Sequence, residues 1–200
     1  MTDYPTTQDE LDIITLTRGK VMGRKEHTGV NLFLVWGYPS AFCFLAEFAA
    51  LMLWDVNLCA WFWVCIPLVG APMMLHFQHK DYDRTGHRTL DANIILQMWL
   101  ILGGCSALAG FATGFAGLYE ACYCVIQGLL VSLGCAMTGV ISRHRHMTLS
   151  GIAGILLSFA ALFIQGDLWP WQLLLTAVIV VITLIIPGHI IKNYVKRHGI

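Results

Sequence analysis

Glu47 is the only Asp, Glu, Lys or Arg between Glu26 and Asp55, and its neighbours are Phe, Leu and Ala. Burial disfavours the charged form of a carboxyl group. A glutamate kept in such surroundings therefore has three uses: carrying a proton, binding a cation, or hydrogen-bonding another helix. A second polar series stands further along the chain. Glu120, Tyr123, Gln127, Gly134 and Thr138 follow one another at intervals of 3, 4, 7 and 4 residues. That spacing lines them along one stripe of a helix.

Histidine offers a different chemistry. His76-x-x-His79 and His144-x-His146 present imidazoles, common metal ligands, close together in sequence. No cysteine accompanies them, and the spacing fits neither zinc-finger nor H-E-x-x-H patterns. Interfacial histidines without metal are the favoured reading, so no metal is expected. The loop DYDRTGHRTLD has three acids, Asp81, Asp83 and Asp91. They are interleaved with Arg84 and Arg88, and Lys80 precedes them, which fits a solvated loop. No serine elbow, phosphate loop or paired-glycine nucleotide fingerprint occurs, and no cofactor is expected. The seven cysteines all lie in apolar stretches and contain no C-x-x-C pair. They read as small buried hydrophobes, although Cys59, Cys122 and Cys124 fall where a disulfide is conceivable.

The elements that hold these residues follow from hydropathy. Hydrophobic residues make up 57% of the 200-residue chain and charged residues 12%, against about 25% charged in soluble domains. A helix of about 20 apolar residues crosses a bilayer. Six stretches qualify, near 31–54, 56–78, 92–115, 118–141, 147–165 and 169–191. The breaks between them alternate in character. Those near 55–57, 114–118 and 165–171 have no Lys or Arg. All 12 Lys and Arg fall in the other segments: Arg18, Lys20, Arg24 and Lys25; Lys80, Arg84 and Arg88; Arg143 and Arg145; Lys192, Lys196 and Arg197. In a six-span threading these lie on one side, which the positive-inside rule makes cytoplasmic. A missed or extra span would scatter them to both sides.

The fold class is thus an all-α polytopic membrane bundle of six transmembrane helices arranged as three hairpins, N-in and C-in. Residues 1–30 form a polar cytoplasmic segment, 31–191 the membrane domain and 192–200 a basic tail. The first residues, MTDYPTTQDELD, are too polar for a cleaved signal peptide. Thr7 and Glu10 fit a capping box for a short amphipathic helix. Net charge is +0 and no long basic run occurs, so nucleic acid is not an expected partner. Membrane lipid is, through the basic loops at Lys80, Arg84, Arg88, Arg143 and Arg145.

Within the spans, Glu47 and Gln127 fall at similar depths in the outer half. Each span-centre acid costs about 2.5–3.5 kcal/mol, and each Leu, Ile, Phe or Val returns about 0.3–0.6. Span one can therefore tolerate Glu47. Two readings stand. Glu47, Gln127, Tyr123 and Glu120 line a ligand or ion pathway, or the polar groups join helices, at about 0.6 kcal/mol a pair. Pro39, Pro67, Pro72 and Pro187 interrupt spans one, two and six, as ordinary kinks or as functional breaks. Gly103, Ala107, Gly110 and Gly114 give span three a small-residue face, for internal packing or for a homo-oligomer.

The entry to span one, NLFLVWGY, and the exit from span six, IIPGHIIKNYVKR, resemble a group of small bacterial six-span proteins of unknown activity. Those also open with a polar cytoplasmic segment, and the likeness extends over residues 1–197. It implies the six-span architecture and a bacterial inner membrane, and it transfers no functional residue.

The leading expectation for function is a small-solute or cation transporter or channel with a polar pocket in the outer half of the bundle. The alternative is a non-enzymatic sensing or assembly module that engages a partner or lipid through its cytoplasmic face. An enzyme ranks third, because no nucleophile–base arrangement is visible.

Overall fold

The computed structural model describes residues 33–54, 72, 90–117 and 122–198. Among these, all regular structure is helical. Helix α1 is Phe33–Trp54, α2 is Leu90–Phe115, α3 is Cys124–Ile141 and α4 is Arg145–Ala161. A 3-10 turn at Gly166–Leu168 leads into α5, Pro170–Val180. A π-helical segment, Val181–Ile185, joins α5 to α6, Ile186–His198. Four stretches are long and apolar enough to cross a membrane: Phe33–Trp54, Asn93–Thr113, Cys124–Ile141 and Pro170–Asn193. They coincide with the first, third, fourth and sixth expected spans. The stretch 56–78, the N-terminal segment 1–30 and the loop bearing Lys80, Arg84 and Arg88 lie outside the described residues, apart from Pro72.

Helix α4 occupies the fifth expected span but is shorter than 147–165. Its 17 residues span about 26 Å. It ends at Ala161 because the next amides turn back by three residues: Leu162 to the Phe159 carbonyl, Phe163 to Ala160 and Ile164 to Ala161, each at 3.1 Å. Gly166, at φ 64°, then reverses the chain. Pro170 begins α5 at a position where its missing N–H leaves no gap in the helix. Helix α6 carries the basic tail onward as helix to His198.

Two of the expected proline breaks fall on described spans, and they differ. Helix α1 is continuous through Pro39. The proline forfeits one bond, to the Val35 carbonyl, and packing on both sides holds the axis. A Cβ on Gly37 would lie 3.0 Å from Ile185 and 3.1 Å from Leu184, and Ala41 is buried. In the last span, Pro187 follows the π-helical segment, where Ile186 N–H reaches the carbonyl of Val181.

The tightest seam joins α3 to α4. Gly128, Ser132, Cys135 and Gly139 are buried on α3, and Met147, Gly151, Gly154, Ser158 and Ala161 on α4. Both series repeat every three or four residues. A Cβ on Gly151 would strike the Ala136 backbone, one on Gly139 the Thr148 backbone, and one on Gly154 the Ser132 hydroxyl. Without a hydrophobic drive between helices in lipid, such close approach supplies the attraction.

Helix α2 lies antiparallel to α3. Trp99 Nε1 donates to Thr138 Oγ1 at 3.1 Å near one end. Near the other, Gly110 meets the Tyr123 ring. Helix α1 runs antiparallel to α5 and α6, with Gly188 against Leu34 and Phe48 against Trp171, ring centroids 5.4 Å apart. Phe33 meets Trp99 edge-on at 5.8 Å. Helices α1 and α2 are therefore parallel to each other. Arg143, Arg145 and Lys192 all fall at the end of the bundle marked by Phe33 and Thr138. The opposite end, marked by Trp54, Phe115 and Trp169, has no Lys or Arg among the described residues.

Candidate functional site

Glu47 is fully buried. Helix α1 carries it toward α3, where it comes within electrostatic range of the Cys124 thiol. Cys124 is itself buried and lies beside Thr176 of α5. Thr176 Oγ1 donates to the Gln172 carbonyl one turn earlier at 2.7 Å. Gln172 is also fully buried. Its Nε2 donates to the Ile164 carbonyl, which the end of α4 leaves free, while its Oε1 has no hydrogen-bond donor among the described residues. The Phe48–Trp171 contact presses α1 onto α5 beside this group. Three helices thus enclose a polar cluster of Glu47, Cys124, Thr176 and Gln172. It lies toward the end of the bundle that has no Lys or Arg among the described residues.

The polar stripe of α3 faces elsewhere. Tyr123 packs on Gly110, Gln127 bonds Ser106, Gly134 contacts Trp99 and Leu102, and Thr138 accepts from Trp99. All of these partners belong to α2. Gln127 uses both ends of its amide on one residue: Ser106 Oγ donates to Oε1, and Nε2 donates to the Ser106 carbonyl at 3.0 Å. The stripe is therefore the α2–α3 seam over its described length. Glu120 lies outside the described residues. Glu47 and Gln127 both lie toward the end of the bundle that has no Lys or Arg among the described residues, but they sit on neighbouring seams of α3.

The small-residue face of α2 is turned largely away from α3. Gly103 and Ala107 are exposed, and nothing described approaches a Cβ built on Gly103. Gly110 marks the edge of the contact. Gly114 carries no described side-chain position.

Among the histidines, His144 is the N-cap of α4 and His146 stands in its first turn, and His76 and His79 lie outside the described residues. No group of three or more His, Cys, Asp or Glu gathers among the described residues. His189 bridges two helices, its Nε2 2.6 Å from Tyr38 Oη. Cys122 and Cys124 are free thiols.

Sequence reasoning singled out Glu47 and did not place Cys124, Thr176 and Gln172 beside it. A signal was present: Gln172 and Thr176 stand four residues apart in an otherwise apolar helix, hence on one face. No protein-family model, curated protein or solved structure matches this chain.

Proposed function

We propose that the chain is a six-span membrane protein with both termini at the cytoplasmic face, and that it moves a small cation or cationic solute through the cluster around Glu47. The six-span count is supported by direction. Helix α1 leaves at the end without basic residues among those described, and α2, parallel to it, starts again at the basic end. Residues 55–89 must connect those ends, and 56–78 is apolar enough to cross. The orientation is supported by Arg143, Arg145 and Lys192 at one end, against Asp167 at the other. The likeness to small bacterial six-span proteins supports the bacterial inner membrane.

One observation carries the transport reading. The Gln172 Oε1 atom is buried without a donor among the described residues, and it belongs to the same enclosed cluster as the Glu47 carboxyl. An unsatisfied buried amide oxygen costs on the order of 1–3 kcal/mol. A cation or protonated solute would give the Gln172 oxygen the positive partner that the described residues do not supply, and the Glu47 carboxyl would add acidic character beside it. Ionisable groups at such depth line ion and proton paths. The cytoplasmic half of the route would follow α5 to its π-helical segment, where the backbone departs from regular pairing.

The test is flux into proteoliposomes under sodium, potassium and proton gradients. Glu47→Gln is expected to abolish flux while the protein still inserts and elutes as one species. Gln172→Leu is expected to weaken flux. Full flux in the Glu47→Gln variant would remove this site.

A further inference from the structure

The turn between α3 and α4 holds Arg143 in a conformation that arginine rarely adopts. His144 N–H reaches the Gly139 carbonyl at 2.9 Å and Arg143 N–H the Val140 carbonyl at 3.2 Å. This pair of bonds closes a helix with one left-handed residue, a place usually taken by glycine. Here it is Arg143, at φ 58°. A side chain kept where glycine would be easier points to use of that side chain.

Arg143 has company. With Arg145, Gly139, Val140, Thr148 and Leu149 it lines an open surface cleft of about 380 Å³. Both arginines are exposed, and neither has an acidic partner among the described residues. Val140 and Leu149 extend the cleft as apolar walls and are themselves 65% and 63% exposed. Gly139 lets α4 approach closely at its floor. The cleft is thus cationic at its rim and apolar along its side. Helix α3 spans about 27 Å over its 18 residues, so a rim just beyond its end sits at the depth of phospholipid head groups.

We propose that this cleft binds one anionic phospholipid, with its phosphate between Arg143 and Arg145 and an acyl chain along Val140 and Leu149. Guanidinium groups pair with phosphate oxygens through two parallel N–H bonds. The apolar walls select a lipid over a free anion, because inorganic phosphate leaves them uncovered. The proposal rests on the chain spanning a membrane. It does not depend on Glu47, so the two can fail separately.

The test uses the full chain in detergent, with thermal melting followed as phosphatidylglycerol, phosphatidylcholine or inorganic phosphate is added. Phosphatidylglycerol is expected to raise the melting temperature at lower concentration than phosphatidylcholine, and inorganic phosphate to have little effect. Arg143→Gly is expected to melt no lower than the parent without lipid, because glycine relieves the left-handed backbone. Arg145→Gln keeps the turn unchanged. Each variant is expected to weaken the phosphatidylglycerol response about fivefold, the factor that matches about 1 kcal/mol per surface arginine. Equal responses to the two lipids, an unaltered response in both variants, or an equal response to inorganic phosphate would overturn the proposal.

Discussion

The Cys135 thiol donates to the Thr183 carbonyl at 2.8 Å. That carbonyl lies four residues before Pro187, whose ring nitrogen has no hydrogen to return to it. The helix break in the last span is therefore closed from a neighbouring helix. Cys135 is fully buried and also faces the Met147 carbonyl and the Ser150 hydroxyl, each at 3.5 Å. It ties α3, α4 and the π-helical segment together at one point. Thr183 settles its own hydroxyl by donating to the Ile179 carbonyl at 2.7 Å. In lipid no water is present to satisfy such groups.

The pairing of Cys135 with the proline break predicts a measurable coupling. Cys135→Ala removes the donor and leaves a buried carbonyl short of a partner, a loss of about 1–3 kcal/mol. Pro187→Ala restores a backbone N–H. In that background the cost of Cys135→Ala is expected to shrink by about 1 kcal/mol or more. Unfolding titrations of the four proteins in mixed micelles would measure the difference. An identical cost in both backgrounds would show that the thiol does not serve the proline break.

Two glycines are expected to respond in opposite directions. A Cβ on Gly151 would lie 2.6 Å from Ala136 Cα and 2.7 Å from its Cβ. Backbone cannot move aside as a flexible side chain can, so Gly151→Ala should cost about 1–3 kcal/mol or more. Nothing described lies within 4 Å of a Cβ on Gly103. Gly103→Ala should be neutral or stabilise by up to about 1 kcal/mol. Melting temperatures of the two variants decide this, and a neutral Gly151→Ala would contradict the close α3–α4 seam.

Hydropathy made four of the spans legible, because it depends on composition over some twenty residues and tolerates local error. Partners on facing helices were not legible. The spacing of Glu120, Tyr123, Gln127, Gly134 and Thr138 says only that these residues share a face, and it leaves open whether they line a pathway or join helices. Ser106 and Trp99, which complete that face, sit on another helix and leave no mark in the spacing. The small-residue seam of α3 and α4 was readable in principle, since Gly151, Gly154 and Ser158 repeat at the same spacing as the glycines noticed in α2. Those in α2 contact little that is described. A run of small residues marks where a helix can be approached, and it does not say by what.

Gln127 is expected to behave as a seam residue and not as part of the path. Gln127→Leu removes both inter-helix bonds, and Ser106→Ala removes the one from its hydroxyl while the Ser106 carbonyl still accepts from Gln127. The loss should be about 0.6 kcal/mol, with about 1.7 as the upper range for such pairs in membranes. Cation flux should survive both changes, in contrast to Glu47→Gln. Loss of flux in Gln127→Leu with unchanged stability would move the path to the α2–α3 seam.

The threading predicts opposite exposure for two turns only about 25 residues apart, since one helix of about 26 Å lies between them. The α3–α4 turn carries Arg143 and Arg145, and the turn before α5 carries Asp167. Moving the two arginines through the bilayer centre during insertion would cost about 2.5–3.5 kcal/mol each, whereas Asp167 and its flanking Trp169 and Trp171 suit the outer interface. Short epitopes inserted after His144 and after Asp167 in separate proteins should therefore be reached by antibody from different sides. In intact spheroplasts only the second is expected to be detected, and permeabilisation should reveal the first. Detection of both from outside would mean that α4 does not cross. Detection of the first alone would invert the orientation and with it the assignment of Glu47 to the outer half.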